Sequence, residues 1–222
     1  MKLGVLFSGG KDSCYALHLA AEKHEIACLI SIFSKNKESY MFHTANIGLV
    51  KRQAETLGIP LVVEWTEGEK EQELIDLERG IRRAVETYHI EGIVTGAIAS
   101  RYQKDRVESI CRRLGLECVS PLWNRDQFQL LREIVNRNFE VIVVGVYAMG
   151  LENFLGRKID ENFISDIKRA YEKFRINPSG EGGEYETFVL NAPLFKRALK
   201  IAESIEVKDR EGGRTLILKL KD

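Results

Sequence analysis

The sequence predicts an α/β protein: a doubly wound, mainly parallel sheet followed by a small C-terminal α+β domain. Three observations carry this reading. Up to about residue 150, short β-rich runs alternate with longer helical patterns. The strand runs are apolar throughout instead of alternating, as in strands covered on both faces. Beyond Gly150 the alternation gives way to a polar, Gly-rich stretch and short β-like runs. A βαβα order with right-handed crossovers lays helices on both faces of one sheet.

Taken in order, Leu3–Phe7 reads as a buried strand and Ser13–Lys23 as a helix. Ile26–Phe33 is the second strand, and Asn46–Leu57 a helix closed by Gly58-Ile59-Pro60, a helix-stop signal. Leu61–Trp65 is the third strand. In Lys70–Tyr88, Leu74, Leu77, Ile81 and Val85 recur at helical spacing. Glu91–Thr95 follows as a strand, Ser100–Leu114 as a helix ended by Gly115, and Cys118–Ser120 as a short strand. A helix over Gln127–Asn136 then leads to Val141–Val146, expected as the last parallel strand. In the second domain a helix is expected over Glu161–Phe174 and another over Leu194–Ala202. β-like runs are expected at Thr187–Leu190, Ile205–Val207 and Thr215–Leu220. In such sheets ligands bind beyond the carboxyl ends of strands. Chemistry is therefore expected just after Phe7, Phe33, Thr95 and Val146.

The bulk numbers bound the function. The 222 residues carry 33 Lys+Arg against 33 Asp+Glu, a formal charge of zero. A basic excess, the usual footprint of a nucleic-acid-binding chain, is missing. Arg79, Arg82 and Arg83 read as the solvated side of a helix. No apolar run approaches the about 20 residues that span a bilayer. The N-terminus runs straight into a strand pattern without signal-peptide flanks, and a cytoplasmic protein is expected. Cys14, Cys28, Cys111 and Cys118 form no C-x-x-C pair, and free thiols are expected of all four.

Ser8-Gly9-Gly10-Lys11-Asp12-Ser13 stands where the first strand meets the first helix. Its glycines allow close backbone approach to a ligand. The opening N–H groups of the helix then face an anion, aided by the helix dipole. Lys11 adds a positive charge, and Ser8 and Ser13 add hydroxyls. Asp12 would repel a bare phosphate, so it either helps place a magnesium ion or caps the helix. The pattern G-x-x-x-x-G-K-[ST] does not fit. Ser-Gly-Gly-x-Asp-Ser after a first strand resembles the signature of the PP-loop (N-type) ATP pyrophosphatases. That resemblance implies splitting of MgATP into AMP and pyrophosphate, with Lys11 and the loop amides holding the pyrophosphate.

Four segments narrow the resemblance: Ser8–Ala16, Ser39–Thr44, Thr95–Gln103 and Gly180–Phe188. Together they are similar to the diphthine–ammonia ligase family, over nearly the whole chain. The likeness implies an ATP-binding, adenylating domain over residues 1–150 and a substrate-binding domain over 151–222. It further implies translation elongation factor 2 carrying diphthine as partner, with ammonium as co-substrate; from the composition no membrane and no nucleic acid are expected, and a homodimer is left open. Gly96 and Ser100 lie at the ligand-bearing edge, where backbone can approach a nucleotide, and Arg101 and Arg106 are candidates for phosphates, Arg106 equally for a surface salt bridge. Met41, Phe42 and His43 follow the second strand, where adenine can stack; His43 is also readable as an ordinary loop histidine. Tyr102 and Gln103 join the acceptor side.

Glu181-Gly182-Gly183-Glu184-Tyr185-Glu186 packs three carboxylates and an aromatic into six residues. Such groups recognise a trimethylammonium, which donates no hydrogen bond. They equally suit ammonium, with uptake of its proton, and Glu184 joins Lys11 and Asp12 as a catalytic candidate. Two rivals remain at this point: a PP-loop enzyme that modifies tRNA, and a non-enzymatic ATP-binding module.

Overall fold

The computed structural model describes residues 1–34, 46–69 and 72–221. The expected adenine-side residues Met41, Phe42 and His43 lie outside the described residues. Five strands form one parallel sheet: β1 (Lys2–Leu6), β2 (Glu25–Ser34), β3 (Leu61–Thr66), β4 (Gly92–Val94) and β5 (Glu117–Val119). Their order is β3-β2-β1-β4-β5. The connections are α1 (Lys11–Ala21), α2 (Val50–Leu57), α3 (Gln72–Tyr88) and α4 (Arg101–Leu114). The chain moves outward from β1 through β2 to β3, then returns to β4 on the other flank. The crevice of this reversal lies beyond the ends of β1 and β4, as the rule for doubly wound sheets requires.

Local sequence explains the pieces. Leu3 and Val5 on β1 are fully buried, and so is Leu29 on β2. Helix α2 ends on Gly58 at φ 69°, a left-handed cap that donates to Ala54 and Glu55. The arginines of α3 are paired, with Arg79 at 2.9 Å from Glu64 and Arg82 at 2.7 Å from Glu78. Among the described residues no helix is long and apolar enough to cross a membrane.

Two expectations are corrected. Val141–Val146 does not extend the parallel sheet. As β6 (Glu140–Val146) it is central in a second, antiparallel sheet of order β7-β6-β9-β8, with β7 (Tyr185–Asn191), β8 (Ile201–Lys208) and β9 (Arg214–Leu220). The change of sheet thus falls after β5, within 120–139. α5 (Gln127–Asn136) and α6 (Glu161–Phe174) accompany the second sheet. Strand β6 is apolar because residues 141–146 are buried on both faces, and that pattern does not report pairing direction.

The helix expected over Leu194–Ala202 does not form. Backbone N–H groups there find partners elsewhere: Lys196 on Thr56 O at 2.8 Å, Arg197 on Thr56 Oγ1 at 3.1 Å and Leu199 on Leu190 O at 2.8 Å. Phe195 and Leu199 are buried, so the segment packs as a strap of turns and bends. One apolar core joins the two sheets, from Leu3, Val5 and Leu17 to Val143, Phe163 and Phe188. A second lies under α3 and α4 and holds Ile30, Ile32, Leu77 and Val107.

Candidate active site

The Ser8–Ser13 loop leaves β1 and opens α1. Gly9 has φ +81°, and a side chain on it would strike the Gln53 amide and the Val50 methyl. Its carbonyl accepts from Val189 N–H at 3.1 Å and from Gln53 Nε2 at 2.9 Å. Thr187 Oγ1 accepts the Lys11 N–H at 3.1 Å. Strand β7 of the second sheet therefore clamps the loop from above. The Ser8 and Ser13 hydroxyls lie 3.1 Å apart, and Ser13 Oγ also meets Ser8 N–H at 3.2 Å and Gly10 O at 3.2 Å. Across the crevice, a Cβ at Gly96 would stand 2.9 Å from the Asp12 and Ser13 backbone. Only a glycine there lets the loop after β4 lie against the start of α1.

Lys11 is 2 % exposed. Its ammonium donates to Asp12 Oδ2 at 2.8 Å and to the Ser179 carbonyl, and stands 5.3 Å from the centre of the Tyr185 ring. The charge expected on phosphate thus points into the junction of the two sheets. Burial pushes the Asp12 carboxyl up, and the Lys11 ammonium offsets part of that rise. Among the described residues, the buried Asp12 Oδ1 has no hydrogen-bond partner. Among the described residues no group of three or more His, Cys, Asp or Glu is able to hold a metal ion.

The acidic phrase divides by direction. Glu181 reaches across the crevice, accepting the N–H groups of Ile98 at 2.6 Å, Ala99 at 2.6 Å and Ser100 at 3.2 Å. Ser100 in turn caps α4, accepting Gln103 N–H at 3.4 Å. Glu184 turns away from the cavity: its Oε1 accepts Asn177 N–H at 2.8 Å and its Oε2 is buried. Gly182 packs on that carboxylate, and Gly183 has φ +85°. Tyr185 is buried, its hydroxyl donating 2.7 Å to Pro178 O and its ring edge-on to Phe163 at 5.8 Å. The Tyr185 ring, expected to meet a substrate cation, is occupied by Lys11. Arg101 is exposed, and the Arg106 guanidinium stacks 3.3 Å from the centre of the Tyr102 ring.

Between these parts lies a cavity of about 290 Å³. Ser8, Gly10, Lys11, Asp12 and Ser13 form one wall, Thr95, Gly96, Ala97 and Gln103 another. Ser179, Gly180 and Glu181 from the segment before β7, with Tyr185, Glu186 and Thr187 of β7, form a third wall. Its apolar end is made by Ile30, Ile32, Leu77 and Val107.

Gln53, Thr187 and Ser179 escape the sequence reading of the site, and Tyr147 is not named there although it directly follows Val146. Gln53 is fully buried, a polar residue on the same helix face as Val50, Ala54 and Leu57; that misplacement was its signal. Tyr147 directly follows β6, where a strand end calls for attention. Its hydroxyl lies 3.1 Å from Thr215 Oγ1, and a Cβ at Gly145 would come 2.5 Å from that hydroxyl. The ring lies where Gly145 and Gly213 have no side chains. Burial, with the charges of Glu186 and Asp209, pushes the Tyr147 phenol up to about 12.

A 3-2-1-4-5 parallel sheet whose first strand runs into Ser8–Ser13, with that loop walling the cavity, defines a PP-loop ATP-binding protein. Family models agree and are narrower: the diphthamide synthase N-terminal domain matches residues 1–118 and the diphthamide synthase C-terminal domain residues 126–221. The chain belongs to the diphthamide synthase family. It is 35% identical over 233 residues to the diphthine–ammonia ligases of Bos taurus and Homo sapiens, covering 93% of this chain and 85% of each. The diphthine–ammonia ligase of Schizosaccharomyces pombe is 35% identical over 239 residues, and the chain spans 39% of that longer protein. A solved structure titled as a predicted subunit of tRNA methyltransferase from Methanocaldococcus jannaschii overlaps with TM-score 0.46 at 16% identity, covering 87% of this chain and 98% of that one. That overlap is too loose to weigh.

Proposed function

We propose that the chain amidates diphthine on translation elongation factor 2 at the expense of ATP, releasing AMP and pyrophosphate. The observation that carries this reading is the chamber in which the Ser8–Ser13 loop meets the acidic phrase of the other sheet. Its apolar end, at Ile30, Ile32, Leu77 and Val107, suits an adenine ring. The loop hydroxyls and amides suit phosphates, and the chamber falls at the small end of ordinary ligand pockets.

The diphthine carboxylate attacks the α-phosphorus of ATP, the bond to pyrophosphate breaks, and an acyl-adenylate results. Ammonia then attacks the acyl carbon, the bond to AMP breaks, and one proton leaves the nitrogen. The loop amides, hydroxyls and Lys11 stabilise charge gathering on pyrophosphate. Lys11 must exchange the Ser179 carbonyl for a phosphate oxygen to do so. Magnesium asks for one or two carboxylates plus substrate phosphates, and the unpartnered Asp12 Oδ1 fits that demand; when bound, the ion neutralises phosphate charge. Glu181 holds the loop at 98–100 in position, so it acts by positioning. Glu186 on the cavity wall, with the Tyr147 ring that lies over its cross-strand neighbour Gly145, supplies the negative field and aromatic face that hold a trimethylammonium.

The test is incubation of the purified chain with MgATP, ammonium and elongation factor 2 bearing diphthine. Expected are AMP in equal amount to amide, and the mass change of carboxylate to amide on the acceptor. AMP formation that ignores the acceptor, or no amide, overturns the reading.

A further inference from the structure

We propose that the outer face of the second sheet is the landing surface for the acceptor protein, a surface running from Glu186 across Tyr147 and Thr215 to Ile217, Ile205 and Val207. The inference rests on the amidation reading above and adds where the body of the substrate sits.

Strand register puts these residues on one face. Gly145 is opposite Glu186 on β7 and opposite Thr215 on β9, and Tyr147, two residues on, shares its side. Thr215 faces Val207, and Ile217 faces Ile205. The result is a continuous row from the cavity wall, which Glu186 helps to form, out to the β8–β9 hairpin.

That row ends in apolar surface without a structural use. Ile205 is 66% exposed, Val207 49% and Ile217 45%. The opposite face of the hairpin already serves the core through Leu218, which is 5% exposed. Three branched aliphatics side by side on adjoining strands make a patch of the kind that marks an interaction site. Among the described residues strand β8 is moreover an edge, paired only with β9.

The occupant follows from continuity. A substrate that is a side chain of a folded protein must rest its carrier beside the cavity mouth while the side chain enters. The row leads from that mouth, past an aromatic ring set among carboxylates, to the aliphatic strip. A second copy of this chain seated there would stand in the acceptor's approach.

The decisive variant pairs Ile205→Lys with Ile217→Glu, opposite charges at directly facing positions, which an exposed strand pair tolerates. Expected is an acceptor KM raised about tenfold or more, the scale of a lost interface anchor, with kcat and nucleotide affinity within about twofold. In the unaltered chain, acceptor protein should slow amide hydrogen exchange over residues 203–218. Unchanged KM in a variant that melts like the parent overturns the proposal. So does an absent exchange footprint, or a dimer that alone accounts for burial of the strip. If the unaltered chain fails to amidate, the activity reading falls, and the footprint still decides the docking face.

Discussion

The ammonium of Lys11 stands 5.3 Å from the centre of the Tyr185 ring, so the phosphate loop is fastened to the acidic phrase through one side chain. A loop lysine reads in sequence as dispensable to folding, yet this one is 2 % exposed. Lys11→Ala strips Asp12 of its partner inside the junction. It should lower AMP formation by about a hundredfold and stability by about 3 kcal/mol. Turnover assays alongside urea denaturation check both, and a variant normal in either respect contradicts the double role.

Glu181 and Glu184 should separate cleanly. Glu181→Ala leaves the N–H groups of Ile98, Ala99 and Ser100 without their acceptor, so it should cost about 2 kcal/mol. It should also weaken ATP binding by about tenfold, because the loop it positions is a cavity wall. Glu184→Gln keeps an oxygen for Asn177 N–H and should leave nucleotide affinity within about twofold. Equal effects of the two in a nucleotide titration would refute this division.

Acceptor recognition should depend on Glu186 and Tyr147. Glu186→Gln and Tyr147→Leu are each expected to raise the acceptor KM about tenfold, the worth of one cation–aromatic or cation–carboxylate contact. Nucleotide affinity should stay put. An acceptor KM that does not move assigns the trimethylammonium elsewhere.

His18 gives the fold a pH dependence. Its Nδ1 donates to Cys14 O at 2.7 Å and its Nε2 accepts Leu194 N–H at 3.1 Å, an arrangement open only to the neutral ring. Burial pulls it down from 6.5 to about 4. Between those values the unfolded chain binds the proton and the native chain does not, so stability rises with pH across that window. The contribution is complete above pH 6.5 and is lost progressively as pH falls toward 4. On the order of 3 kcal/mol is at stake. Denaturation midpoints at several pH values should fall through this range, and His18→Gln should flatten the profile.

The cysteines should differ in reactivity. All four are free thiols in the structure. Burial pushes the Cys14 thiol up, and the Cys28 thiol up to about 12, whereas a hydrogen bond from Cys111 pulls Cys118 down. Alkylation of the native protein should therefore label Cys118 first, read by peptide mass analysis. Early labelling of Cys14 would contradict its burial.

Much of this was legible in the sequence, for local reasons. The five parallel strands announce themselves because each is apolar between helical patterns, and the phosphate loop because strand, glycines and helix adjoin. What stayed hidden depends on distant partners. Nothing local tells that Glu184 turns to Asn177 while Glu181 crosses to Ile98, since both sit in one glycine-rich phrase. Leu194–Ala202 has helical spacing, but Thr56 and Leu190 claim its backbone groups. Val141–Val146 reads as parallel because burial on both faces leaves the same pattern in either sheet.

The hold of β7 on the Ser8–Ser13 loop bears on the timing of catalysis. Val189, Thr187 and Gln53 already fix the loop at Gly9 and Lys11. Ordering a flexible phosphate loop would otherwise tax every turnover with lost conformational freedom. Here the share of that loss held at Gly9 and Lys11 falls once, when the chain folds.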